Sequence, residues 1–161
     1  MSKKHFSWLL IVTLVVAGLI LLVPGKTGRE SSFEKRELMP ELAAGVNELT
    51  FVRLTAGGGE VIASLERSEG KWRVQEASSY PADWVRIKSL LSDLSQAEVI
   101  EEKTSNPEYY SRLGVEDVAL EGAGGIMISF ADETGIAAVI AGNQASGRDG
   151  QYLRLQNSEQ S

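Results

Sequence analysis

The spacing of apolar residues divides this chain into an uninterrupted greasy run followed by alternating and helical patterns. The run is Phe6–Val23, FSWLLIVTLVVAGLILLV, eighteen residues without a charge. As a helix rising 1.5 Å per residue it spans roughly 27 Å, enough to cross the hydrocarbon core of a bilayer. Pro24–Glu37 is rich in glycine, serine and charge with no apolar period, and reads as a tether. Leu38, Leu42 and Val46 then recur at four-residue intervals, predicting a short amphipathic helix that takes Pro40 in its first turn and packs on the domain. From Leu49 the period becomes two. Leu49–Thr55, the stretch carrying Val61, Ala63 and Leu65, and Lys71–Ala77 are predicted strands, with turns at Gly57–Gly59 and Glu69–Gly70.

After Pro81 the pattern switches to helical. Trp84, Ile87, Leu91 and Leu94 recur at three and four residues, with Leu90 widening the stripe, so a helix of about four turns lies on the sheet. Glu98–Lys103 is expected to return as a short strand. Asn106-Pro107 starts a helical turn carrying Tyr109, Tyr110 and Leu113, and Gly114 ends it. A second meander follows: Ile126, Ile128 and Phe130 on one face of a strand, a turn at Asp132–Gly135, a covered strand Ile136–Ala141, a loop Gly142–Gly150, and a strand Gln151–Gln156. The fold class expected is α+β. An N-terminal transmembrane helix precedes a mainly antiparallel sheet of two β-meanders, with one amphipathic helix packed on it. Residues 1–5 form a cytoplasmic amino terminus, 6–23 a signal anchor, 24–37 the tether and 38–161 the domain.

Charge bears on sidedness and on partners. Lys3 and Lys4 ahead of the apolar run favour a cytoplasmic amino terminus, although Lys26, Arg29, Lys35 and Arg36 follow it. A cleaved signal peptide is the competing reading, but the apolar core is long and PGKTG behind it lacks a small-x-small site. Residues 37–161 carry ten basic and twenty acidic side chains, an acidic balance that repels nucleic-acid phosphates and disfavours nucleic acid as a partner. The chain has no cysteine, so neither a disulfide framework nor a lipid-modified cysteine is possible.

Candidate chemistry is sparse. The one histidine, His5, sits beside the apolar run, which removes Ser-His-Asp, Cys-His and His-metal designs from the domain. Gly57–Gly59 and the GAGG at Gly122–Gly125 lack the Lys-Ser/Thr of a phosphate loop and read as turns. Asp83, Glu116, Asp117, Asp132 and Asp149 fall at a helix start or in turns, where capping explains them. Asp132-Glu133 lacks calcium-loop spacing. No catalytic, cofactor or metal residue is therefore assigned. Trp72 and Trp84 are expected in the sheet–helix core, and Tyr109 and Tyr110 are the candidate partner surface.

The run GKWRVQEASSYPADWVRIKSLLSDLSQAEVIEEKTSNPEYYSRLGVED resembles the DUF4340 family of bacterial membrane-anchored proteins. The resemblance rests on Gly-x-Trp, Y-P-A-D, L-L-x-x-L and K-T-x-N-P-x-x-Y-x-x-L-G-V, then Gly142 and GQYLRL, over about Leu38–Asn157. It implies an α+β domain without established catalytic residues, auxiliary to ABC-type export systems. It also implies members that continue past the position of Ser161, so the chain reads as a true terminus or as a truncated member. The expected function is a periplasmic protein-interaction domain on the inner membrane, with envelope proteins and ABC transporter subunits as the partner class and no enzymatic role. The alternatives are a carboxylate-dependent envelope hydrolase and a structural fragment without independent activity.

Overall fold

The computed structural model describes residues 35–131, 134–147 and 149–156. The expected span Phe6–Val23 and nearly all of the tether lie outside the described residues. Among those described, no helix is long and apolar enough to cross a membrane. The elements run β1 (Arg36–Glu37), α1 (Pro40–Gly45), β2 (Phe51–Thr55), β3 (Val61–Ser68), β4 (Lys71–Val74), β5 (Tyr80–Pro81), α2 (Trp84–Ser95), β6 (Glu98–Val99), α3 (Tyr110–Leu113), β7 (Ile126–Phe130), β8 (Val139–Gln144) and β9 (Gln151–Leu155). The fold is α+β. Seven strands form one sheet in the order β5-β4-β3-β2-β7-β8-β9, and every pairing in it is antiparallel.

The two meanders join through their first strands. Val52 lies opposite Phe130 and Leu54 opposite Ile128, so apolar residues of β2 and β7 share one face. That face continues through Leu65, Trp72 and Val74 on one side and Val139, Leu153 and Leu155 on the other. Helix α2 covers it with Ile87, Leu91 and Leu94, and α1 adds Leu42, which is fully buried. Each helix starts where its sequence allows. Asp83 caps α2 by accepting from the N–H groups of Val85 (3.0 Å) and Arg86 (3.3 Å), and Pro40 opens α1, where its missing N–H costs no bond. The turn Glu69–Gly70 has positive φ at both residues, the backbone of a two-residue hairpin turn that suits the strand twist.

The opposite face is divided. Under β8 and β9 it is covered by the segment around α3, where Tyr110, Val115, Val118 and Ile140 form a second core. Glycines allow that close approach. A β-carbon on Gly142 would come within 2.7 Å of Val115 Cγ1, and one on Gly125 within 2.8 Å of Ile140 Cγ2. Asn143 Nδ2 donates to the Arg112 carbonyl at 3.3 Å, satisfying an acceptor at the end of α3. Here the structure departs from the sequence pattern. The strand expected over Ile136–Ala141 lies at Val139–Gln144, because Gly142 and Asn143 dock α3 instead of forming a loop. Trp84 also departs: at the first turn of α2 it stays 54% exposed, while Trp72 is core.

Under β2, β3 and β4 the second face is wet. Ser64 is buried there, and its N–H donates to Glu76 Oε2 at 2.8 Å where the β4 ladder has ended. The Glu76 carboxylate thus takes the place of a backbone carbonyl. The Ser64 backbone bond, followed by its side chain, holds the Glu76 carboxyl below its ordinary value of 4.5. Two residues of the expected tether also belong to the domain. Arg36 and Glu37 form β1, which pairs with β6 in a separate two-stranded sheet.

Gly142→Ala is expected to lower stability by about 1–3 kcal/mol through overpacking, read as a lower urea midpoint. Because the Glu76 carboxyl is depressed in the folded state, its stabilisation is present above about pH 4.5 and fades as the pH falls below that value. Glu76→Gln is therefore expected to lower the thermal midpoint at neutral pH, with the gap from wild type narrowing in acid.

Candidate partner-binding surface

Several carboxylates of the domain are engaged locally. Glu98 pairs with Lys35 at 3.3 Å, Glu101 with Lys103 at 2.6 Å and Glu102 with Arg36 at 2.5 Å. Asp117 accepts from the Ala119 N–H at 2.9 Å, an Asx turn, and Glu116 Oε1 accepts from the Gly124 N–H at 3.3 Å. Among the described residues no group of three or more His, Cys, Asp or Glu side chains is placed to hold a metal ion. The two glycine loops are locked together rather than open to a phosphate. Gly58 and Gly59 donate their N–H groups to the carbonyls of Leu120 and Val118, each at 2.9 Å.

The tyrosine pair separates. Asn106 caps the turn by accepting from the Glu108 N–H at 3.1 Å, and the chain then turns Tyr110 inward and leaves Tyr109 at the surface. Tyr109 is 44% exposed, with the Arg112 guanidinium 5.1 Å from its ring centroid. Tyr110 is 6% exposed, so it joins the second core instead of the candidate surface. Its ring lies 4.9 Å from the Arg154 guanidinium, whose Nε donates to the Val115 carbonyl at 2.7 Å. Arg154 thereby fastens β9 to the segment that carries both tyrosines.

Two further surfaces escaped the sequence pattern. Around the start of α2, Tyr80 (70% exposed), Trp84 and Val85 (76%) leave aromatic and aliphatic groups in water. Trp72 lies beside Trp84, its indole N–H buried without a partner, and Arg67, Lys71 and Lys88 add positive charge nearby. Such Trp, Tyr and Arg groupings are typical of interface anchors. Trp84 is the first residue of α2 and stands at the end of its apolar stripe. The second surface is a cleft of about 310 Å³ beside β9, walled on its far side by Val99, Ile100 and Glu101. Its walls lie about fifty residues apart in the chain, so no local pattern reveals it.

Residues 72–160, more than half of the chain, match the family model described as Domain of unknown function (DUF4340). The chain belongs to the DUF4340 family. No curated protein and no solved structure matches it. The DUF4340 match opens at Trp72 and takes in β5, α2, both tyrosines and the second meander through β9. Strands β2 and β3 precede the matched segment, yet they complete its sheet, since β7 pairs with β2. The exposed Tyr80–Val85 stretch, Tyr109 and all of the cleft lining except Leu38 fall inside the DUF4340 segment.

Arg154→Ala is expected to cost about 1–3 kcal/mol, because it removes a cation–π contact and a hydrogen bond to a carbonyl. Urea unfolding measures this, and Arg154→Lys is expected to recover only part of it, since an ammonium cannot reproduce the planar guanidinium.

Proposed function

We propose that this DUF4340 domain is a protein-interaction module, held on the periplasmic side of the inner membrane by the apolar run Phe6–Val23. It serves there as an auxiliary component of an ABC-type export or envelope complex and acts by binding, without catalysis. The observation that carries the reading is the half-exposed Trp84 beside the buried Trp72, with Tyr80 and Val85 near it in the chain also left in water. Large apolar side chains left in water by a domain of this size suit contact with another protein. Membrane placement is supported by the eighteen uncharged residues and the lysines before them, and the transporter association by the family resemblance.

The test is photocrosslinking in cells with a photoreactive residue at Trp84 or Tyr109, followed by mass spectrometry. Crosslinks to envelope membrane proteins are expected from both positions. Recovery of the chain uncrosslinked, or in the soluble fraction with its first residues intact, overturns the reading. Trp84→Ala and Tyr109→Ala are expected to reduce co-purification of that partner about tenfold for at least one of the two, the size of a hot-spot truncation, with the thermal midpoint unchanged.

A further inference from the structure

Strand β9 ends the seven-stranded sheet, and no strand among the described residues pairs with its outer edge. The ladder to β8 shows which groups point outward. Gln156 N–H bonds to the Ala138 carbonyl at 2.6 Å, so the pairs 138–156 and 140–154 are the hydrogen-bonded ones. The alternating pairs 139–155 and 141–153 are then non-bonded, and Leu153 and Leu155 direct their N–H and carbonyl groups away from β8. An outer edge of this kind is a template for one more strand.

The cleft lies against that edge. Tyr152 and Leu153 leave β9 on opposite faces of the sheet, yet both line it, which places it at the strand's rim. Across from them stand Leu38, Val99 and Ile100, a mainly apolar wall. Ile100 closes one end, its Cδ1 lying 3.9 Å from where a β-carbon on Gly150 would be. With strands about 4.8 Å apart, sheets about 10 Å apart and about 3.3 Å of rise per residue, a volume near 310 Å³ holds about two residues of extended chain. A whole second sheet does not fit behind that wall; a short extended segment does.

Charge narrows the occupant. Glu98 and Glu101, the carboxylates on the wall, are paired within the domain by Lys35 and Lys103. An incoming segment therefore meets apolar side chains and open backbone groups, with no unbalanced charge to answer. The polar run Asn157–Ser161, which contains Glu159 and no apolar residue, does not match this lining.

We infer that the outer edge of β9 receives an uncharged, apolar extended segment of a partner protein, which enters between Leu153 and the Val99–Ile100 wall and adds as a strand along the edge through Leu155. The main chain supplies the affinity and the cleft selects small apolar side chains. This rests on the interaction-module reading and adds to it the chemical class of segment recognised. It does not depend on which protein carries that segment or on the Trp84 surface.

The test uses the full chain in detergent and a capped decapeptide of alternating valine and threonine, with amide hydrogen exchange followed at Leu153 and Leu155. The expected result is saturable binding that slows exchange at both amides about tenfold or more, the scale of 1.4 kcal/mol of added hydrogen bonding. The same peptide N-methylated at alternate amides is expected to lose the effect, and Ile100→Asp to weaken binding at least about tenfold by burying a charge in the cleft. Trp84→Ala should leave it unchanged. Failure of the peptide to protect the two amides, or equal binding by the N-methylated form, overturns the inference. So does protection already present without peptide, whether it disappears on dilution (a second copy fills the edge) or on deletion of residues 24–34 (the chain's own tether fills it). Trp84 crosslinks to an envelope protein alongside an inert β9 edge would leave the interaction-module reading standing and remove this one alone.

Discussion

Antiparallel pairing of β2 with β7 is the contact on which this fold depends. Val52 and Leu54 face Phe130 and Ile128 across it, and each meander then grows outward from that seam by hairpins. The seam joins a four-stranded and a three-stranded meander into one sheet with one continuous apolar face. The partnership also explains why α2, which lies between the meanders in sequence, sits on the face they share. Its Ile87, Leu91 and Leu94 pack into a cluster containing residues from both halves. With no cysteine available for a crosslink, that cluster carries much of the stability of the domain.

Much of this was legible from residue spacing, for identifiable reasons. Period-two alternation placed β2, β3, β4, β7 and β9 within a few residues, because each has one face against the core. The three-and-four spacing placed α2 for the same reason, and the Pro40 and Asn106-Pro107 signals marked real starts. What was not legible depended on contacts distant in the chain. β8 lies about three residues later than its apolar run suggested, because the backbone of α3 needs Gly142 and Asn143 beneath it. Tyr110 is indistinguishable from Tyr109 by pattern, and the contacts that hold it inward, with Val115, Val118, Ile140 and Arg154, come mostly from segments later in the chain.

The surfaces followed the same division. The candidate pair Tyr109 and Tyr110 came from composition, and one of the two is exposed. The Tyr80–Trp84–Val85 group was hidden by a sound rule: tryptophans on an apolar stripe usually join the core. Trp84 opens that stripe at the first residue of α2, ahead of the buried Ile87, Leu91 and Leu94. The cleft beside β9 depends on residues near 100 meeting residues near 150, and its walls have no local signature.

The pairing of β1 with β6 has a mechanical consequence. Arg36 and Glu37, near the start of the described domain, are bonded to Glu98 and Val99, and the chain runs from there directly into Ile100 and Glu101. Tension entering through the amino-terminal end therefore reaches this two-residue ladder before it reaches the seven-stranded sheet. A ladder that short peels under modest load, whereas the sheet must shear many bonds at once. Load on the leading end would thus fall on one bank of the β9 cleft before it fell on the seven-stranded sheet.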